Sequence, residues 1–343
     1  MDGIPGMMYD IMSNFGKGDF RVKNISMYAM IADDMVRVET ELLTTIQTPV
    51  SMLQDFSVHL SKAGGKRLRP ALYLLCARQS ASPSVSPIAI AAAIELIHMA
   101  TLIHDDVIDK SPTRRGIPTA NALWGNHAAV LGGDFLFARA FSLVATEGDH
   151  NIIKILADVI CALSEGEIIQ MAETFNADQT EEGYYARIAK KTAEFIAGSI
   201  QCGALTAGMT AEEVAAMRQF GYDIGMAFQI IDDILDITAS SAQIGKPVAN
   251  DLRQGVITLP VIHAIRHSPR GSELQEIIRR REMTAADIET CLAIVEEASS
   301  VSYSYRQVAR YLDDARTVLP ASLDEGIRAA LLEVADFVGL RQY

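Results

Sequence analysis

Two segments set three aspartates each among apolar residues. Asp105-Asp106-Val-Ile-Asp109 closes the run from Ile94, and Asp232-Asp233-Ile-Leu-Asp236 follows Met226–Ile231. In a helix, residues four apart share a face, so Asp105 stands with Asp109 and Asp232 with Asp236. Carboxylates stacked on an apolar face repel each other and lose hydration, which costs several kcal/mol if left uncompensated. Hard divalent cations remove that cost. All-oxygen donors favour Mg²⁺ over zinc or copper, and Mg²⁺ spans carboxylates and substrate phosphates. The sequence supplies its own controls. Asp33-Asp34 and Asp313-Asp314 are also paired acids, but neither has an acid four residues on, and each has an arginine within a turn (Arg37, Arg316). That is the pattern of a surface ion pair.

Basic residues gather beside the acids. Ala63-Gly-Gly-Lys-Arg-Leu-Arg-Pro70 puts Lys66, Arg67 and Arg69 at the start of a helix, where free N–H groups and the dipole favour anions. Arg114-Arg115-Gly116 follows the first acidic motif, and Lys190-Lys191-Thr192 and Gly245-Lys246-Pro247 add further donors. Each guanidinium is a planar fork, so two adjacent arginines suit two diphosphates better than one. Acids that hold metal beside bases that hold phosphate imply a diphosphate substrate. No nucleophile triad is on offer. His98 reads as a phosphate donor and His104 as a packed helix histidine, because metal-driven ionisation needs no protein base for bond making.

The elements that must position these groups are helices. Apolar residues recur at spacings of three and four, while alternating Val/Thr/Tyr runs are nearly absent, which predicts an all-α chain. A first amphipathic helix is expected over 25–47, and a long one from Pro87 to about Lys110. Breaks are expected near 116–118, 147–150, 177–183, 208–210, 240–247 and 268–272. Residues 1–20 read as a loose tail, and 21–343 as one helical domain without a linker. The 343 residues carry 30 Lys+Arg against 43 Asp+Glu, a net charge of −13, which argues against a nucleic-acid binder. Cys76, Cys161, Cys202 and Cys291 lie far apart, consistent with a reducing compartment. The N-terminus lacks the pattern of a signal peptide, and no stretch reaches the roughly 20 apolar residues of a membrane span, so a cytoplasmic protein is expected.

The set of motifs resembles the trans-isoprenyl (polyprenyl) diphosphate synthases. It comprises Gly65-Lys-Arg-Leu-Arg-Pro70, His98, Asp105–Asp109, Arg114-Arg-Gly116, Lys191-Thr192, Phe228–Asp236 and Gly245-Lys246, in the family's order across roughly residues 40–343. The resemblance implies the all-α isoprenoid synthase type I fold, a central cavity and two aspartate motifs facing each other near its mouth. It implies that Gly65, Lys66, Arg69, His98 and Arg115 hold isopentenyl diphosphate. Arg114, Lys191, Thr192, Gln229 and Lys246 would hold the allylic diphosphate, farnesyl diphosphate for example. Several Mg²⁺ ions would sit on Asp105, Asp106, Asp109, Asp232, Asp233 and Asp236. The reaction implied is head-to-tail condensation, with Lys191, Thr192 and Gln229 beside the developing cation.

Ile97, Ala100 and Thr101 lie one to two turns before Asp105 and would form the floor of the product tunnel. None is aromatic. Each helical turn spans about 5.4 Å, close to one isoprene unit. Small residues there, and the wording around both motifs, resemble bacterial heptaprenyl and octaprenyl diphosphate synthases, whose membrane-destined products serve as quinone side chains. A shorter geranylgeranyl or farnesyl product is the alternative. A homodimer is expected from the family, and a small regulatory subunit occurs in some long-chain members. One departure stands out: Asp251-Leu-Arg-Gln-Gly-Val-Ile-Thr258 has Val256 where the family often has a lysine that contacts the allylic phosphate. Three rivals remain. A non-catalytic partner subunit should have lost aspartates or arginines, and none is lost. Glu95–His98 and Glu147–His150 match the ExxH pattern of di-iron bundles. A terpene cyclase is disfavoured by the all-aspartate second motif.

Overall fold

The computed structural model describes residues 26–343 apart from 63–64, 81, 115, 148, 239–247 and 341–343. The expected tail at 1–20 and the cations Arg115 and Lys246 lie outside the described residues. The described chain is all-α except for one antiparallel pair of two-residue strands.

The helix expected over 25–47 is two, α1 (Ser26–Met30) and α2 (Ala32–Thr45). Ile31, fully buried, leaves helical geometry between them at φ −114°. Then follow α3 (Ser51–Lys62), α4 (Leu68–Ala77) and α5 (Pro87–Ile108). Ser86 caps α5 through its side chain and Pro87 fills the first turn, as the sequence predicts. The strands β1 (Thr113–Arg114) and β2 (Ile117–Pro118) lead into α6 (Ala120–Glu147) and α7 (His150–Ala172). Next are α8 (Glu181–Ile188), a π-helical turn (Ala189–Ala193), α9 (Glu194–Thr206) and α10 (Ala211–Thr238). The short α11 (Asn250–Arg253) precedes α12 (Leu259–His267), α13 (Gly271–Arg279), α14 (Ala285–Glu297), α15 (Ser300–Val318) and α16 (Glu325–Gly339).

The chain divides into two compact units. One holds residues up to 157 with 199–214 and 323–331; the other holds 158–198, 215–322 and 332 onward. In the first unit, α5 is the core helix: every residue from Ile88 to Ile97 is buried. Tyr73 of α4 meets Thr206 through a buried hydroxyl pair at 3.0 Å. By length and apolarity α5 and α6 could each cross a membrane, contrary to the expectation that no such stretch exists. For α5 the apolarity is explained by burial within the unit. α6 is less covered and exposes Leu123, Val130 and Leu131. None of the four cysteines forms a disulfide, and all but Cys161 are buried.

In the second unit, α12 packs with α13, α14 and α15, and His263 bonds Ser300 at 2.9 Å. Asp223 of α10 is the strained acid of this unit. Its Oδ1 accepts from Gln219 at 2.9 Å, while Oδ2 is buried without a hydrogen bond. Burial pushes its carboxyl up to about 6, with Gln219 opposing and Asp314 adding to the rise. The folded value exceeds the unfolded one of about 3.9, so stability falls as pH climbs from the lower value through the higher. Asp223→Asn is therefore expected to raise Tm by about 1–3 °C at about pH 7.5 and by less at about pH 4.5. Equal shifts at both pH values, by calorimetry, would refute a charge-based penalty.

Candidate active site

The first aspartate motif follows from the rotation of α5. The helix is buried through Ile97, then opens a stripe on which His98, Thr101 and Asp105 are partly exposed and Asp109 is exposed. These residues recur every three or four positions. Asp106, one step on and about 100° round the helix, turns inward and is only 5% exposed. There Arg114 donates Nε–H to its Oδ1 at 2.8 Å. Arg114 sits on β1, opposite Ile117 on β2, in a hairpin turned by Gly116 at φ 79°. Asn121, at the start of α6, donates to the Asp106 carbonyl at 3.2 Å. Arg114, expected on the allylic diphosphate, is thus already anchored, with 34% of its side chain accessible.

The basic loop before α4 separates its three cations. Lys66 is exposed and Arg69 partly so, but Arg67 takes left-handed backbone at φ 49° and turns inward. It pairs with Glu39 at 2.8 Å and Glu95 at 2.6 Å. Reading Arg67 as one of an anion-facing cluster is therefore corrected: two buried glutamates require a cation, and the inward turn at Arg67 supplies it. Burial raises the Glu95 carboxyl, opposed by Arg67, and burial lowers Arg69 to about 10, opposed by Glu95. Tyr28 ties the loop down by donating to the Lys66 carbonyl at 2.6 Å. Gly65, beside it, is exposed.

These contacts weaken the di-iron alternative. Glu95 is taken by Arg67, and Glu147 accepts the Ser86 N–H at 2.6 Å. His104 bonds the Val130 carbonyl at 3.2 Å, in keeping with a packed helix histidine. Of the residues expected to form a tunnel floor, Ile97 and Ala100 are fully buried. The Thr101 hydroxyl donates to the His98 carbonyl at 2.8 Å.

The second motif repeats the geometry on α10. Asp232 and Asp236 are partly exposed, whereas Asp233 is 4% exposed. Tyr184 donates to Asp233 Oδ2 at 2.7 Å, and Gln229 donates to its Oδ1 at 2.8 Å. Thr192 donates to the Gln229 oxygen at 2.7 Å, which completes a chain Thr192–Gln229–Asp233–Tyr184. Burial pushes the Asp233 carboxyl up to about 7; Asp251 adds to the rise, and Tyr184, Gln229 and Arg187 oppose it. Asp236 accepts the N–H groups of Asn250 at 3.2 Å and Asp251 at 3.1 Å, at the start of α11.

Lys191 and Thr192 belong to the π-helical turn, a local widening often found at functional sites. Lys191 pairs with Glu167 at 2.8 Å, and Lys190 with Glu165. Two glycines close on this turn. A Cβ at Gly166 would lie 2.9 Å from the Lys191 nitrogen, and one at Gly225 would lie 2.5 Å from the Ala193 Cα.

The donor sets fit a hard cation. Among the described residues no three His, Cys, Asp or Glu groups form a metal cage. Asp105 with Asp109, and Asp232 with Asp236, instead offer two carboxylates per motif. Mg²⁺ uses one or two carboxylates, keeps water and takes the rest of its shell from phosphates. A carboxylate has about four lone-pair sites, so Asp236 retains capacity beyond its two N–H bonds.

Outward acids on each motif, with Arg114 beside the first and Thr192 and Gln229 beside the second, suit a prenyltransferase of the trans-polyprenyl diphosphate synthase type. A profile of the family described as "Polyprenyl synthetase" matches residues 50–295. "Heptaprenyl diphosphate synthase component 2" of Geobacillus stearothermophilus is 38% identical over 318 residues, 93% of this chain and 99% of that protein. "Octaprenyl diphosphate synthase" of Escherichia coli (strain K12) is 34% identical over 307 residues, 89% of this chain and 95% of that protein. Among solved structures, the polyprenyl synthase from Caulobacter crescentus CB15, complexed with calcium and isoprenyl diphosphate, superposes with a TM-score of 0.85. It is 35% identical and covers 92% of this chain and 97% of that one. The chain belongs to the polyprenyl synthetase family, and its fold is the all-α isoprenoid synthase fold.

Sequence reasoning missed Tyr184, Glu167, Glu39 and the π turn. The glycine pair was the available signal, since Gly166 and Gly225 sit inside helices where glycine costs about 1 kcal/mol against alanine. Gly225→Ala should shift the Lys191–Thr192 turn and lower prenyl transfer roughly 10- to 100-fold without loss of helical circular dichroism. Turnover within a factor of two of wild type would show that the turn tolerates the methyl group.

Proposed function

We propose that this chain condenses isopentenyl diphosphate head to tail onto an allylic diphosphate, building an all-trans polyprenyl diphosphate in the heptaprenyl to octaprenyl range. The observation that carries this reading is the matched pair of motifs, each with two outward carboxylates on an apolar helix whose middle acid is held inside. The names of the relatives favour a long product. Across residues 21–343 the two units act as one catalytic domain. In this reading Asp105, Asp109, Asp232 and Asp236 hold Mg²⁺, and Asp106 and Asp233 position their neighbours. When bound, Mg²⁺ supplies Lewis-acid withdrawal of charge from the allylic diphosphate.

The remaining work falls to the protein. Lys66, Arg69, His98 and Arg115, beside Gly65, bind isopentenyl diphosphate, while Arg114, Lys191 and Lys246 bind the allylic diphosphate. The Thr192 hydroxyl hydrogen is committed to Gln229, so the oxygen lone pairs of Thr192 remain to face the positive charge that develops on the allylic carbons. A proton is then lost to the departing diphosphate. Ala100 and Ile97 leave room for a growing tail where an aromatic residue would stop it.

The chain works in the cytoplasm as a homodimer. Leu123, Val130 and Leu131 form an exposed apolar row on α6, with Leu131 65% exposed, and a second copy would cover it. The word "component" in the name of the Geobacillus stearothermophilus relative favours a second reading, in which a small partner subunit joins the chain.

Incubation of the purified chain with labelled isopentenyl diphosphate, farnesyl diphosphate and Mg²⁺ should yield heptaprenyl or octaprenyl products, and EDTA should abolish them. Products that stop at geranylgeranyl diphosphate would move the enzyme to the short-chain group. Product formed only with a second protein would establish the heteromer. In the same assay Ala100→Tyr should shorten the products while the first condensation stays active; unchanged lengths would remove Ala100 from the tunnel floor.

A further inference from the structure

Val256 puts a neutral side chain where the resemblance leads one to expect a lysine. Segment 251–258 folds against the second motif: the Asp251 N–H meets Asp236, and the Val256 N–H bonds the Asp251 carbonyl at 2.9 Å. Gly255, at φ 79°, accepts the Phe175 N–H at 2.8 Å. Acids crowd this place. Asp251 acts electrostatically on Asp233, and Asp236 holds the start of the segment. Val256 is neutral and partly exposed.

Beneath the segment lies Arg187, only 2% exposed. Its Nη2 donates to the Ile257 carbonyl at 2.7 Å, one peptide beyond Val256. Its Nη1 is buried without a hydrogen bond, 3.9 Å from Glu173. The guanidinium lies 5.6 Å from the Tyr184 ring centroid, the same tyrosine that donates to Asp233. Burying an arginine costs several kcal/mol unless its charge is used. A neutral side chain would fill the same volume without that cost, so packing alone does not account for it. Glu173 uses its Oε2 on Gln179 as well. Glu173 is its ion-pair partner, and the Arg187 charge also reaches Asp233 of the second motif.

We propose that Arg187 supplies, from beneath segment 251–258, the positive charge that the segment lacks at Val256. Arg187 is a positioning residue. Through the Ile257 carbonyl it fixes the segment against the second aspartate motif, and it offsets the acids there so that an allylic diphosphate can approach. It does not touch the substrate. The role rests on the allylic-diphosphate reading of this motif.

The test compares wild type with Arg187→Lys, Arg187→Met and Arg187→Met combined with Val256→Lys. Arg187→Met should raise KM for farnesyl diphosphate roughly tenfold and leave KM for isopentenyl diphosphate within a factor of two. Arg187→Lys should recover most of the loss, and a lysine at position 256 should recover at least half of it. Two readouts need no turnover. Mg²⁺-dependent binding of inorganic pyrophosphate, by calorimetry, should weaken in parallel, and trypsin should cut faster after the exposed Arg253. If Arg187→Met does not fold, Arg187→Lys and Val256→Lys alone decide. In the wild-type background a lysine at 256 should change pyrophosphate affinity less than twofold, because the charge is already present. A tenfold gain there, equal losses for both substrates, or unchanged pyrophosphate binding and Arg253 cleavage would overturn the proposal. A wild-type chain that binds pyrophosphate yet makes no polyprenyl product would overturn the prenyltransferase reading instead, with the pyrophosphate and trypsin comparisons still deciding on Arg187.

Discussion

Much of the site depends on the cost of enclosing a carboxylate inside an apolar helix. Asp106 and Asp233 are both enclosed; Arg114 of β1 satisfies the first, and Tyr184 of α8 with Gln229 one turn back on α10 satisfies the second. Hydrogen bonds to a charged acceptor are worth about 1.5–3 kcal/mol each, enough to dictate where the donors go. Asp106 fixes Arg114 and with it the hairpin of β1 and β2. Asp233 fixes Gln229, Gln229 fixes Thr192, and Thr192 lies in the same π turn as Lys191. Two buried acids therefore order four residues that the proposed reaction would use.

The same rotation that hides the middle acid presents its neighbours. At about 100° per residue, a helix that turns Asp106 inward turns Asp105 and Asp109 outward together, and Asp232 and Asp236 likewise on α10. A motif with three aspartates is thus a pair of outward carboxylates and an anchor. The basic loop follows a similar economy. Arg67 turns inward to Glu39 and Glu95, leaving Lys66 exposed and Arg69 partly so. The left-handed φ at Arg67 is a local strain of about 1–3 kcal/mol that two buried ion pairs offset.

The parts of the site that follow from local periodicity were legible in the sequence. The faces of the two aspartate motifs follow from spacing alone. So do the surface pairs, since Arg37 meets Asp34 at 3.5 Å and Arg316 meets Asp313 at 2.7 Å. Contacts between elements distant in the chain were not legible. Nothing near Tyr184 announces Asp233, 49 residues on, and nothing near Lys191 announces Glu167. The π turn was hidden for another reason. From Thr192 to Ile200 only Glu194 escapes burial, so a one-residue change of phase leaves no trace in the hydrophobic pattern. The break at Ile31 carries no glycine or proline, so the helices around it read as one.

Local pairing also resolves an apparent conflict between a net charge of −13 and an anionic substrate. An acidic protein would repel a diphosphate if its site were simply a bare positive patch in a negative field. Instead the cations are held in pairs: Arg114 by Asp106, and Lys191 by Glu167. A phosphate must then compete with a carboxylate for each cation, and a single weak anion gains little by the exchange. On the proposed reading, a diphosphate that displaces such a carboxylate and also meets an outward aspartate through a divalent cation makes more than one contact, and their free energies combine within one binding event. Each of these cations is therefore close to neutralised at rest, and on the proposed reading a preference for metal-bridged diphosphates follows from the number of exchanges that one ligand can make.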